Sequence, residues 1–261
     1  MHILKNTILA AISVAALAFM ACAGAQNGNV GSQTATPAQG SAEQTATAVE
    51  NAEGTGTAAG KATSYKLQQE EKQAMLEQTF AGMLSAIRNG TTPRDLLPFI
   101  TDTSEYWLDD LEAAARIEKE DELNARCFAE VYAILRYRIY EREHMWGDVT
   151  EYKMLSLVLA QKGILDRLTE LKLGPMKIKE DRGSVGLESS PEVPVLLFVW
   201  DDVKWEFDVK ASMPLVTKGI ESIGVKKNWS NTKLAIYLLE KEFRFEFSRV
   251  DDSLLDPATA F

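Results

Sequence analysis

Apolar residues between Tyr65 and Asn89 fall at Leu67, Met75, Leu76, Phe80, Met83, Leu84 and Ile87, the later ones at three- and four-residue steps. That spacing places them on one face of a helix. Gly90 suits its stop, and Pro93 bars continuation. "PRDLLPFI" reads as a short helical turn, after which Asp102 or Thr103 caps a helix carrying Tyr106, Trp107, Leu108 and Leu111. Glu118–Met145 reads as one long helix with Cys127, Phe128, Val131, Ile134, Leu135 and Ile139 on its core face. Val149–Leu173 reads as another, ended by Gly174-Pro175. Then the period changes. "MKIKED" and "SVGLES" suit strands either side of a turn at Arg182-Gly183, and "VPVLLFVW" and "VKWEFDV" suit a hairpin through Asp201-Asp202. In the last of these Val203, Trp205, Phe207 and Val209 alternate with Lys204, Glu206 and Asp208, which predicts one buried face and one wet face. "ASMPLVTKGIESI" and "NTKLAIYLLEKEF" return to helix, the second with Asn231 as its cap. Helices followed by antiparallel strands predict an α+β domain.

The first residues follow another rule. The apolar run Ile8–Ala21, with Lys5 on its flank, is shorter than the roughly 20 residues that cross a bilayer. A basic flank, a short apolar run and a small-residue exit make an export signal. Ala23-Gly24-Ala25 before Gln26 suits ordinary signal peptidase. Phe19-Met20-Ala21-Cys22 resembles the lipobox of bacterial lipoproteins, in which the cysteine becomes the acylated N-terminus, although Phe19 stands where most lipoboxes carry Leu. From Ala23 to about Thr63 the chain is Ala, Gly, Ser, Thr, Gln and Asn with few charges and no aromatic residue. Such a composition cannot offset its conformational entropy by burial. Lipoproteins commonly carry a tether in that place, which favours the anchor on Cys22. The expected organisation is a lipoprotein-type signal over 1–21, a disordered tether over 22–63 and a folded domain over 64–261.

Charge and cysteine count narrow the functions. A net charge of −10 argues against a nucleic-acid surface. It argues equally against adhesion to anionic lipid, and no Lys/Arg cluster in the sequence opposes that reading. Of two cysteines, acylation of Cys22 leaves Cys127 without an intrachain partner, and no Cys-based metal or cluster site can be assembled. Cys127 reads as a small core residue. No nucleotide loop, nucleophile elbow or zinc-protease motif occurs.

"LLFVWDDVKWEFDVKASMPLVTKGIESI" resembles the strand-hairpin-helix ending of the nuclear transport factor 2-like superfamily. "LLEKEFRFEFSRVDDSLLDP" resembles a C-terminal appendage found on some members. The resemblance covers Met176–Pro257 and implies N-terminal helices packed on a curved antiparallel sheet, a cone, with a C-terminal helical appendage. Enzymatic members, dehydratases and isomerases, place a His–Asp pair or an acid with a tyrosine in the cone. His144 instead sits at a helix end among charges, and Asp208 suits a capping role. "RCFAEVYAILRYRIYER" sets Tyr132, Arg136, Tyr137, Arg138 and Tyr140 on what reads as a wet, partner-binding face, since Tyr and Arg are enriched in interface hot spots. The expectation is a lipid-tethered, non-catalytic binding module of the cell envelope, on the periplasmic side of the outer membrane. It would take no cofactor and no metal, and its partners would be the membrane and either a small apolar ligand or an envelope protein. The alternatives are a dehydratase- or isomerase-like enzyme using a cone carboxylate, and a structural protein binding through its helices.

Overall fold

A computed structural model describes residues 57–243 and 250–257, with the side chains of 57–67 and Arg167 left aside. The expected signal over 1–21 and the tether over 22–56 lie outside the described residues. Helix α1 runs Thr57–Asn89, so residues 57–63 of the expected tether carry helical backbone. It ends as its sequence requires: Gly90 has a φ of 62°, and the amides of Gly90 and Thr91 bond back to Ile87 and Ala86. A 3-10 turn, Pro93–Phe99, leads to α2, Asp102–Ile117, whose cap is Thr101: its side chain accepts from the Ser104 amide.

Two expected long helices are broken. Glu118–Met145 divides into α3, Glu120–Asn124, and α4, Phe128–Arg142. Glutamates at the third helical position close both starts, Glu122 accepting from the Lys119 amide and Glu130 from that of Cys127. Cys127 is thus a half-buried residue at a helix start, not a residue of a helix interior. In Val149–Leu173 only α5, Lys153–Leu159, and a 3-10 turn, Asp166–Glu170, are helical. Gly163 explains the interruption, for a Cβ there would stand 2.7 Å from the Ala160 carbonyl oxygen. Of the apolar residues that mimic a long helical face, Met154, Leu155, Val158 and Leu159 lie in α5, while Ile164, Leu165 and Leu168 fall in the turns after it.

The sheet is an open antiparallel meander of β1 Leu173–Lys179, β2 Arg182–Leu187, β3 Ser190–Trp200 and β4 Trp205–Phe207, in that spatial order. Gly174-Pro175 lies inside β1 at a register shift rather than ending a helix. The first hairpin turns at Glu180-Asp181, and Gly183 belongs to β2. Its missing side chain admits α1: a Cβ would lie 2.8 Å from Leu76 Cδ2. The β3–β4 turn dispenses with glycine because the Asp201 carboxylate accepts from the amides of Val203 and Lys204 at 2.9 and 2.7 Å. Those bonds, Lys204's first, hold its carboxyl below the usual range. Trp205 and Phe207 are fully buried, whereas Val203 is 73% exposed in the turn and departs from the expected alternation. Glu206 is largely covered, paired with Lys204 at 2.8 Å, so that side is not fully wet.

Two helices complete the fold. Asp208 caps α6, Val209–Lys227, by accepting from the Ala211 amide at 3.0 Å. In α7, Asn231–Phe243, the Ser230 hydroxyl takes the capping role expected of Asn231, whose side chain instead donates to the Arg126 carbonyl. The α+β class stands: helices, then a four-stranded antiparallel sheet, then helices.

Candidate functional site

Helix α4 carries the residues expected to face a partner, and it is packed between α2, α5, α6 and α7. Tyr137 and Arg138 are fully buried and Arg136 nearly so, while Tyr132 and Tyr140 pack partly buried against the core. The expected partner face of Tyr132, Arg136, Tyr137, Arg138 and Tyr140 is therefore turned inward. Backbone carbonyls explain why Arg138 can be there. Its guanidinium donates to Ala114, Ala115 and Glu118 at the end of α2, and to Leu254 in the 3-10 turn Asp252–Leu255. A cation at a helix C-terminus also complements the helix dipole. Burial lowers its pKa to about 10, which leaves it charged at neutral pH.

Arg136 has different company. It pairs with Glu242 of α7 at 3.1 Å and donates to the Lys162 carbonyl at 2.8 Å. Tyr132 donates to the other oxygen of the same carboxylate. Burial first, then the Glu242 charge, pushes the Tyr132 phenol well above its ordinary value of 10.0. On another side of α4, Arg116 donates to the Tyr137 hydroxyl and to Glu112, both at 2.7 Å, and Lys153 donates to Glu141 at 2.8 Å. These are structural networks, complete but for the buried Nε of Arg136, which has no hydrogen-bond partner.

A depression lined by Leu97, Leu108, Tyr152 and Met154 also receives Glu105, Asp109 and Glu112. Burial and then the Glu112 charge raise the Asp109 carboxyl. Its free space of about 10 Å³ admits about one water, against roughly 300–1,000 Å³ for a ligand pocket. The carboxylates therefore have no substrate-sized volume there. His144 is exposed in the turn after α4 with a φ of 52°, where it ends the helix. Burial, the largest influence on it, raises the Cys127 thiol, the opposite of what a nucleophile needs. Among the described residues no cluster of His, Cys, Asp or Glu could hold a metal ion.

The surface at the junction of α6 and α7 is built differently. Trp229 and Tyr237 meet edge to face with ring centroids 5.1 Å apart. The Lys227 ammonium stands 4.5 Å from the indole centroid and 5.7 Å from the phenol ring. Lys233 lies 5.4 Å from Trp229, and Lys241 5.1 Å from Tyr237. Val225, one helical turn before, is 81% exposed. A basic, aromatic surface thus stands on a chain of net charge −10.

No protein-family model, curated protein or solved structure matches the chain. Its site must be read from its own geometry.

The lysines of this surface are spread along the sequence and form no Lys/Arg cluster in it. The signal is present in the spacing: Trp229, Lys233, Tyr237 and Lys241 are four apart, so α7 aligns the last three on one face and Trp229, just before its start, extends the row. Lys227 joins them only because α6 and α7 meet there.

Proposed function

We propose that the protein is a lipid-tethered, non-catalytic binding module of the cell envelope. It is held by acyl chains on Cys22 at the periplasmic side of the outer membrane, and it works through its surface. The observation that carries this reading is Phe19-Met20-Ala21-Cys22 at the end of an apolar run, followed by an aromatic-free segment. One acyl chain binds marginally, and two or three make attachment stable. Among the described residues no helix is long and apolar enough to cross a membrane. The sheet of β1–β4 with α1 is read as the cone of a nuclear transport factor 2-like domain. In that reading Phe198, Trp205 and Phe207, all fully buried, pack the interior of the cone with side chains.

Metabolic labelling with a fatty-acid analogue tests the anchor. The protein takes up the label, and Cys22→Ala abolishes it. An unlabelled protein whose mature N-terminus is Gln26 refutes the reading.

A further inference from the structure

We infer that the Trp229–Tyr237–lysine surface is a second membrane contact, which seats the folded unit on the anionic headgroups of the bilayer that anchors it. The inference rests on the tethered reading above and adds a partner to it. Three observations converge. The first is charge: Lys227, Lys233 and Lys241 gather within cation–π distance of two neighbouring rings, with Glu240, 3.9 Å from Lys241, as the nearest acid paired to them. The remainder of a chain of net charge −10 is repelled by an anionic surface, so approach is favoured with this end foremost.

The second is residue chemistry. Trp and Tyr have an apolar body and a polar tip and concentrate at the headgroup level of bilayers, while lysine stems cover apolar surface and keep the ammonium in water. Here the two kinds alternate from Trp229, just before α7, along one face of that helix. Val225, exposed beside them on the last turn of α6, supplies apolar area to the same end. The third is that helix capping does not account for the set. Lys227 and Lys241 lie in the last turns of α6 and α7, where a cation complements the dipole, but Lys233 lies in the first turn of α7, where it opposes the dipole, and the rings need no such role. A phosphate-bearing lipid surface satisfies all of these at once. An acidic protein would use the charges while leaving the exposed Val225 unexplained.

Attachment through Cys22 makes the contact intramolecular in effect, so a weak patch suffices. Near an anionic bilayer each lysine changes partition by about fivefold at low salt. The test uses the acylated full chain in vesicles of phosphatidylcholine, or of phosphatidylcholine mixed equally with phosphatidylglycerol, with brominated acyl chains as the tryptophan quencher. The expected result is added quenching in the mixed vesicles alone, lost in Trp229→Phe and reversed by high salt. Lys227→Gln/Lys233→Gln cuts the docked fraction sharply with an unchanged melting temperature. Equal quenching in the two vesicle types overturns the inference, as does quenching that survives Trp229→Phe or the lysine variant. The anchor is read separately: an acylated chain floats with phosphatidylcholine vesicles whatever the patch does. Failure to float there refutes the tether without touching the quenching result.

Discussion

Around β3 and β4 the interior is hydrocarbon and aromatic ring. Phe198 lies 5.8 Å from Phe80 and 5.3 Å from Phe207, and the Trp205 indole reaches out only to donate to the Lys72 carbonyl of α1 at 2.8 Å. Around α4 the interior is threaded by two guanidinium groups, three phenols and several carboxylates. The two regions bury comparable side chains by different means. A ring buried under α1 gains from leaving water and needs few specific partners. A guanidinium buried beside α4 is tolerable only when carbonyls or a carboxylate replace the water it lost. The aromatic region should therefore respond to volume, and the polar region to the removal of single partners.

Volume gives the largest effect. Trp205→Ala should cost about 3–5 kcal/mol through lost transfer energy and a cavity, a large part of the roughly 5–15 kcal/mol available to a domain. Val203→Ser, two residues earlier but 73% exposed, should change stability by under about 0.5 kcal/mol. Denaturant melts of the two variants check this. Equal losses would mean that the burial of β4 is misassigned.

Partner removal comes next. Glu242→Leu leaves Arg136 buried without its carboxylate and should cost about 2–3 kcal/mol, somewhat below the loss from fully buried pairs because both side chains keep slight exposure, 8% and 12%. Arg136→Met combined with Glu242→Leu should be more stable than Glu242→Leu alone, since two apolar groups replace a pair whose desolvation is costly. A double variant as weak as the sum of the single ones would make α4 an ordinary packed core and dissolve the contrast between the regions.

The smallest effect is on pH. Tyr132 is held protonated above its ordinary pKa of 10.0, so below that value folded and unfolded states carry the same proton. As pH rises past it, only the unfolded chain releases the proton, and the stability tied to this phenol is lost. The advantage of the native chain over Tyr132→Phe should therefore shrink by about 1 kcal/mol between pH 10 and 11. Urea melts of the two proteins at pH 10 and pH 11 compare them. A gap that widens with pH refutes the assignment.

The same contrast decides what could be read from sequence. Alternation at Trp205 and Phe207 and the helical period of Leu76, Phe80, Met83 and Ile87 reported burial, because transfer from water is a property of the residue itself. Arg138 was misread for the complementary reason. Its place depends on carbonyls at Ala114, Ala115 and Leu254, up to 116 residues away, and no local pattern encodes them. Gly163 and Gly183 show the same blindness at smaller scale: one looked like a residue of a helix and the other like a turn, and each answers to a neighbour's atoms. The Trp229 surface lies between these cases, half written in a four-residue spacing and half made by the meeting of two helices.

Arg138 also sets an order of events. Three of its four carbonyl partners precede it in the chain, but Leu254 is made 116 residues later. A growing chain can wind α2 and α4 early, since their bonds are local. It cannot satisfy the guanidinium between them until β1–β4, α6 and α7 have also emerged. The helical half should therefore stay loose until late in synthesis and close together with the segments that follow it. Under the export proposed above, in which the chain crosses a membrane before it folds, that delay would keep it pliable during passage.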